Sequence, residues 1–240
     1  MRIAVLPASP KTARATIQAL LETDSLTSPV QPPPNSSRIA SENIRLATQR
    51  AGLVKRLVLL SSMGAEHPSG TGEIMTNHIA EEILKDAAPE TIFMRCAYFM
   101  ESWASAVPTV RAEQPHFYSV ITPLDYQVPM VAVDDIGKAC ATPYVVEVHG
   151  PRDYSSNDVQ RAFQGMAGQD IEVRPVNKEA LPEVFGQFLP EASVNMFVEM
   201  STSFLPGGVL AEQAPDPDVR VYRGRTGLSE AVGDMYGPGR

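Results

Sequence analysis

The sequence predicts an α/β protein with a Rossmann-like parallel sheet, helices on both of its faces and a small mixed C-terminal region. The first observation is a set of short aliphatic runs that are typical of buried strands, at residues 2–7, 55–61 and 91–95. The second is that segments with apolar residues at helical spacing lie between these runs. Strands that alternate with helices favour a parallel sheet with a binding site at the carboxyl ends of its strands.

A proline-rich linker interrupts the first half of the chain. Residues 24–37 contain Pro32, Pro33 and Pro34, which cannot lie inside a helix or a central strand. Ser36 or Ser37 is expected to cap the next helix, which Gly52 ends. The predicted helices of this half cover residues 11–21, 38–51 and 76–87.

The second half is mixed and lacks an internal repeat. We expect residues 1–140 to form a truncated Rossmann-like domain, with residues 141–240 packed on it as a C-terminal substrate-binding region in one globular unit. Beyond Pro206 the chain is expected to be irregular up to a short final helix. The predicted elements are strands at 129–133, 144–149 and 171–176, and helices at 134–141, 156–167, 178–188 and 229–235.

Composition and charge exclude several classes of partner. The net charge of −8 does not favour a broad basic face for nucleic-acid phosphates. No apolar run approaches the roughly 20 residues of a membrane span, and the N-terminal strand is too short for a secretory signal. We therefore expect a cytoplasmic protein with a small-molecule substrate, no nucleic-acid or membrane partner, and an oligomeric state that the sequence leaves open.

Cysteine and histidine spacing does not predict a metal site. Cys96 and Cys140 lie far apart and are interpreted as two small buried residues rather than a disulfide or a metal pair. The four histidines show none of the close spacings of zinc motifs, so no metal is expected.

Several segments carry a resemblance to a known family. They are VKRLVLLSSMGAEHPSGTGEIMTNHIAEEIL (54–84), TIFMRCAYFMESW (91–103), ITPLDYQVPMVAVDDIGKA (121–139), VVEVHGPRDYSSNDV (145–159) and RTGLSEAV (225–232). Together they resemble the NmrA-like family, an atypical branch of the short-chain dehydrogenase superfamily. The resemblance implies a Rossmann-type NAD(P)-binding protein, and family members include reductases, non-catalytic dinucleotide sensors and tailoring enzymes.

The phosphate-binding loop departs from this family. The family opens with GATGxxG after its first strand, whereas this chain has Pro7-Ala8-Ser9-Pro10-Lys11-Thr12-Ala13. Proline fixes φ and removes an N–H donor, and the phosphate cradle depends on such donors and on close backbone approach. We therefore expect NADP binding to be weak or absent. A degenerate site would draw on Ser9, Lys11, Thr12, Ser61 and Asn77.

A second departure lies between the first helix and the proline run. Val30-Gln31-Pro32-Pro33-Pro34 resembles the end of the family's third strand, yet it comes only a few residues after the first helix. On the order of 30 residues, about one strand–helix unit, are missing. Leu26–Val30, if extended, is expected to pair beside the first strand in the vacated position. A defective gene model or a decaying gene copy is the alternative explanation.

Residues after the second predicted strand are the candidates for catalysis. The superfamily's Tyr-x-x-x-Lys pair falls on Glu73 and Asn77, which cannot reproduce that dyad. His78 is the candidate general acid/base, because its unperturbed pKa is near neutrality, with Ser62 and Asn77 beside it. A helix-packing role for His78, and turn or capping roles for Ser61 and Ser62, are the structural alternatives.

Aromatic residues after the next strand are candidates for substrate binding. Tyr98, Phe99 and Trp103 can form an apolar wall for a flat substrate, although such spacing is also typical of a core. Glu101 can act as a base if burial raises its pKa. Asp134 and Asp135 are interpreted as a helix N-cap pair.

The sequence is compatible with three functions. The first is a tailoring or detoxifying enzyme for a quinone- or polyketide-like substrate, with impaired NAD(P)H binding and non-redox isomerase, cyclase or dehydratase chemistry. The second is an NADPH-dependent quinone or enone reductase. The third is a non-catalytic NADP sensor or partner-binding regulator.

Overall fold

The computed structural model describes residues 3–7, 36–139, 146–211 and 219–237. Its strands are β1 (Ile3–Pro7), β2 (Arg56–Ser62), β3 (Glu90–Cys96), β4 (Tyr98–Phe99), β5 (His116–Ser119), β6 (Val128–Val131), β7 (Val146–His149), β8 (Asp153–Tyr154), β9 (Glu172–Pro175) and β10 (Arg220–Arg223). Its α-helices are α1 (Ser36–Ala51), α2 (Met75–Leu84), α3 (Val107–Val110), α4 (Val133–Ala139), α5 (Ser156–Ala167), α6 (Leu181–Gly186), α7 (Glu191–Ser203) and α8 (Leu228–Tyr236). Short 3₁₀ helices at Gly72–Ile74, Met100–Ala106 and Lys178–Ala180 each lead directly into an α-helix.

The main sheet has five parallel strands in the order β1-β2-β3-β7-β10. The predicted α/β fold with a Rossmann-like parallel sheet is therefore confirmed. Within the described ranges, β1 pairs with β2 and has no strand on its other side. The carboxyl ends of β2 and β3 meet at one edge, where Ser62 is the register partner of Cys96. We call this the carboxyl edge.

The alternation of residues along β2 explains why both faces of the sheet are covered. Leu57 and Leu59 face α2, where they pack against Ala80 and Leu84. The intervening side chains, Val58 and Leu60, join a cluster on the opposite face that includes Ile136 of α4. A strand that is buried on both faces needs a continuous apolar run, which is the pattern that the sequence shows.

The segments after β3 that lie outside the main sheet share a hydrophobic core of their own, and we call them the C-terminal part. β4, β6 and β8 form one small sheet, and β5 pairs with β9 in another. Between them lies an aromatic series in which Trp103 contacts Phe117 edge to face at 5.6 Å and Phe117 contacts Phe163 at 5.9 Å. The start of the α5 helix is stabilised by a complete capping box, which Ser155 and Asp158 form.

Several element predictions need correction. Ser36 and Ser37 lie inside α1 rather than capping it, and Asp134 and Asp135 lie inside the first turn of α4. The predicted helix 178–188 is a 3₁₀ turn followed by α6. Elements that were not predicted are α3, α7, β4, β5, β8 and β10. The predicted helix 156–167 is confirmed as α5, and Gly52 has the left-handed φ of 61° expected after a helix.

Other predictions fall outside the described residues. These are the helix at 11–21, nearly all of the linker 24–37, the proposed strand Leu26–Val30 and Cys140. Cys96 is buried, and its thiol donates to the carbonyl oxygen of Met94 at 3.6 Å. The division at residue 140 stays a prediction. Among the helices of the described ranges, none combines the length and apolarity needed to cross a membrane.

The α7 helix packs on the carboxyl edge through a glycine. Gly72 has φ of +56°, and a Cβ there would lie 2.0 Å from the carbonyl oxygen of Met196. Farther along the same segment, the side chain of Leu210 lies against Gly64. The chain after α6 therefore covers the loop that connects β2 to α2, and it does so only because these positions lack a side chain.

Gly72→Ala is predicted to lower the free energy of unfolding by about 2–4 kcal/mol, because it combines a left-handed backbone with overpacking. Gly165→Ala is the matched control, since Gly165 lies in α5 with nothing near its Cβ position. That change should be neutral or stabilise by about 0.5–1 kcal/mol. Urea denaturation of both variants measures the difference, and equal stabilities would contradict the assigned contact.

Candidate functional site at the carboxyl edge

A buried ionic cluster lies beside the carboxyl edge. Ser61 and Arg95 are register partners on β2 and β3, and their side chains meet Glu81 of α2. The Ser61 hydroxyl donates to Glu81 Oε1 at 2.6 Å, while Arg95 donates to both Glu81 oxygens at 3.0 and 2.7 Å. Arg95 also pairs with Glu66 at 3.0 Å. We call Ser61, Glu66, Glu81 and Arg95 the ionic cluster.

Burial and charge oppose each other at Arg95. Its side chain is 12% exposed, and this burial acts to lower the pKa of the guanidinium. The hydrogen bond to Glu81 and the negative charges of Glu81, Glu66 and Glu147 outweigh burial, so the pKa of Arg95 is raised. The Arg95 guanidinium therefore stays charged, and its contacts with Glu81 and Glu66 are made within the protein.

The predicted catalytic residues are near this cluster in the chain, since Ser62 follows Ser61 on β2, and Asn77 and His78 precede Glu81 on α2. His78 contacts the backbone carbonyl of Ala65 through Nδ1 at 2.8 Å. Because a carbonyl oxygen only accepts, Nδ1 carries the hydrogen in this arrangement and Nε2 is left to accept a proton. Ser62 donates to the carbonyl of Met63 at 3.1 Å. Asn77 is half-buried, and its side chain has no hydrogen-bond partner among the described residues.

The predicted aromatic wall is divided between two places. Trp103 is 5% exposed and belongs to the aromatic core, with Tyr98 at 6.0 Å between ring centroids. Burial raises the pKa of Tyr98 to about 12, and the Ser102 hydroxyl opposes this only in part. Tyr98 therefore stays protonated at neutral pH. Phe99 is half-buried against the cluster on the α4 face of the sheet.

Glu101 links this segment to α4. Its Oε1 accepts a hydrogen bond from the Val133 backbone N–H at 2.9 Å, while Oε2 is buried without a partner. Desolvation raises the pKa of Glu101; the bond from Val133 opposes this shift, and the charges of Asp134 and Asp135 add to it. One oxygen thus satisfies the start of α4, and the other is free to hold a proton.

The five residues predicted to contact NADP differ in whether the structure describes them and in whether their side chains already have a partner. Ser9, Lys11 and Thr12 lie outside the described residues, and Ser61 is committed to Glu81. Only Asn77 is described and unpaired. The described residues therefore leave the predicted NADP contacts a prediction. No group of three or more His, Cys, Asp or Glu side chains within them is placed to hold a metal ion.

A separate cleft of about 330 Å³ lies in the C-terminal part. Asp158 is one of its lining residues and accepts from Arg152 at 2.8 Å and from Arg161 at 2.7 Å. Burial acts to raise the pKa of Asp158, but these two arginines and the capping bonds of Ser155 hold it far below the ordinary value. The cleft is thus largely charge-compensated by its own residues.

Comparison with solved structures shows which fold this is. The NADPH complex of an NADPH-dependent quinone oxidoreductase from Escherichia coli matches with a TM-score of 0.68 and 15% identity, over 98% of this chain and 90% of that chain. The NADP(H) complex of triphenylmethane reductase from Citrobacter sp. matches with a TM-score of 0.64 and 12% identity, over 98% of this chain and 77% of that chain. This chain has the fold of these reductases.

A nucleoside-diphosphate-sugar epimerase from Staphylococcus aureus has a TM-score of 0.61 at 14% identity, over 93% of this chain and 80% of that chain. Identities this low establish the fold alone. The sequence matches no family model and no curated protein. The NmrA-like assignment therefore stays a proposal.

Sequence reasoning missed the ionic cluster and the partners of the candidate residues. Arg95 ends an otherwise apolar strand, which is a signal that its charge has a buried partner. Glu81 could not be identified as that partner, because an ion pair across 14 residues depends on the packing of α2 on the sheet. Asp135 also has a role other than the predicted cap, since its Oδ2 accepts from the backbone of Arg225 and Thr226.

Arg95→Met is predicted to destabilise the fold by about 3–5 kcal/mol, because it leaves Glu81 buried without a counter-ion. Arg56→Met is the control, because Arg56 pairs with Glu90, whose side chain is 58% exposed, and such pairs contribute about 0–1 kcal/mol. Thermal unfolding between pH 5 and 8 tests this. Equal losses in both variants would contradict a structural role for the cluster.

Asp158→Asn is predicted to cost about 1–2 kcal/mol at neutral pH through the lost capping box and ion pairs. A lowered pKa in the folded state means that the contribution is present above the ordinary value of 3.8 and is lost as pH falls below it. The two stability curves should therefore converge in acid. Asp170→Asn, at an exposed loop position, is the control and should leave stability unchanged at all pH values. Parallel curves for the wild type and Asp158→Asn would show that the carboxylate charge is not involved.

Proposed function

We propose that this protein is a small-molecule enzyme of the NmrA-like kind that carries out non-redox chemistry on a quinone- or polyketide-like carbonyl compound. The observation that carries the proposal is the arrangement of the sheet. β1 is the outer strand of the described sheet, while β2, β3 and their carboxyl edge are complete. In Rossmann folds the strands beyond β1 belong to the half that binds one of the two mononucleotides.

Two sequence features support weak dinucleotide binding. Residues 8–35, between β1 and α1, are too few for two further strands with their helices, since one βαβ unit already takes about 30 residues or more. The loop after β1 has prolines at two of the three glycine positions of the fingerprint. Of the described residues that could hold the cofactor, Ser61 is bound to Glu81.

The candidate residues near the carboxyl edge support an enzyme rather than a protein without catalytic activity. His78 is oriented by Ala65 so that Nε2 can accept a proton, and Ser62 and Asn77 lie at the same edge. The Glu101 carboxyl is half-buried with a raised pKa and one unpaired oxygen. Such groups suit proton transfer in a tailoring or detoxifying isomerisation, cyclisation or dehydration, which needs no electron carrier.

An NADPH-dependent reductase is the second candidate. It is favoured by the match to the NADPH complex of the quinone oxidoreductase over 98% of this chain. Reduction of a quinone requires a donor of two electrons, so this candidate depends on dinucleotide binding. The two functions therefore make opposite predictions for the same titration.

Titration with NADPH is predicted to give no binding below millimolar concentration, because the donors and close approach of a glycine-rich loop are lacking. Protein fluorescence and the heat of binding measure this, with menadione added to detect NADPH oxidation. The triple variant Pro7→Gly, Pro10→Gly, Ala13→Gly is the matched comparison and should bind NADPH more tightly than the wild type if the loop is the cause. Micromolar binding with menadione-dependent turnover by the wild type would overturn the non-redox proposal in favour of the reductase.

A further inference from the structure

Three polar side chains without partners lie on the turn that begins α2. The Thr71 hydroxyl is fully buried and makes no hydrogen bond. Glu73 and Asn77 are half-buried, and neither side chain has a hydrogen-bond or ionic partner among the described residues. We call Thr71, Glu73 and Asn77 the α2 turn. Polar groups that are buried without partners cost free energy, and natural folds keep few of them.

The geometry of the turn brings Glu73 and Asn77 close together. The 3₁₀ helix Gly72–Ile74 continues directly into α2, since Ile74 and Met75 both have right-handed helical backbone angles. Residues four apart on such a path lie about one turn from each other, with Cβ atoms roughly 5–6 Å apart in a regular helix. A carboxyl and an amide at this separation can reach adjacent atoms of one small ligand.

The environment of the turn differs from that of the ionic cluster. The backbone of α7 packs directly on Gly72, the residue next to Glu73. This contact shields the Gly72 side of the turn from water. Desolvation raises the pKa of Glu73, and no counter-ion opposes it. Glu81, eight residues farther along, is held by Arg95 at 2.7 Å. At this end of α2, Glu73 is thus the carboxyl whose pKa is raised by desolvation without an opposing positive charge.

We propose that Glu73 is the proton-transfer group of this enzyme and that the Asn77 amide holds the oxygen of an enolate, so that the reaction is enolisation and isomerisation of a ketone. This inference rests on the proposed function and replaces His78 as the principal base. In the first step the Glu73 carboxylate takes a proton from the carbon beside the carbonyl. The C–H electron pair forms the new C=C bond, and the carbonyl π pair moves onto oxygen.

The enolate oxygen then accepts a hydrogen bond from the Asn77 amide, which is a donor of the kind that stabilises developing oxyanions. In the second step the Glu73 carboxylic acid returns its proton to another carbon of the conjugated system, and the carbonyl is restored. The proton that leaves one carbon is returned to another, so the overall oxidation state of the substrate is unchanged and no electron carrier is consumed. The substrate class is an enolisable ketone attached to a flat ring system.

The test uses β-tetralone, an enolisable aromatic ketone, in deuterium oxide. Proton NMR follows the exchange of its acidic C–H for deuterium by the full-length protein. The wild type should accelerate exchange over buffer about 100-fold or more, a typical contribution of a positioned base. Glu73→Gln should return the rate to that of buffer, and Asn77→Ala should lower it by about 10²-fold. Glu82→Gln, an exposed position on α2, should leave the rate unchanged.

The outcomes separate the two proposals. If the wild type catalyses exchange and Glu73→Gln is equally active, while His78→Ala or Glu101→Gln is inactive, the role of Glu73 is overturned and the non-redox function stands. A wild-type rate equal to that of buffer would overturn both. The melting temperature gives a second readout, because Glu73→Gln removes a desolvated charge without a partner and should not lower it. A lower melting temperature for Glu73→Gln would identify a structural role and overturn the inference.

Discussion

The position of α2 on the sheet depends on one buried ionic interaction. Arg95 of β3 is bound by both oxygens of Glu81, and Glu81 also accepts from Ser61 of β2. Two strands and one helix are therefore fixed at the level where the strands end. A buried guanidinium and carboxylate must remain paired, because either charge alone is costly. The first turns of α2, which carry the candidate site, are consequently fixed in place as well.

The carboxyl edge is enclosed from the other side by the C-terminal part. The α7 helix contacts Gly72, and Leu210 lies against Gly64. These two contacts desolvate the loop between β2 and α2, whereas the ionic cluster supplies its rigid support. A loop that is both supported and partly shielded from water is a suitable place for groups with altered proton affinity.

The sequence was sufficient for the parallel sheet but not for the site. Apolar runs identify β2 and β3 because strands buried on both faces need them, and the predicted helix 156–167 has the same bounds as α5. The α7 helix was missed because it is mostly half-buried and follows Pro190, so its apolar pattern is weak. His78 and Glu101 were named as candidates from their residue type, but their partners Ala65 and Val133 are set by tertiary contacts.

The contrast between Glu81 and Glu73 explains why one helix can carry both a structural and a reactive carboxyl. Glu81 is the more buried of the two, yet both of its oxygens accept hydrogen bonds from Arg95. Glu73 is less buried but has no partner, so burial acts on its proton affinity without opposition. Desolvation without a partner favours the form of a carboxyl that carries the proton, which is the condition that a proton-transfer group needs. The capacity for acid–base chemistry at this edge therefore depends on the absence of a counter-ion at residue 73 as much as on the presence of one at residue 95.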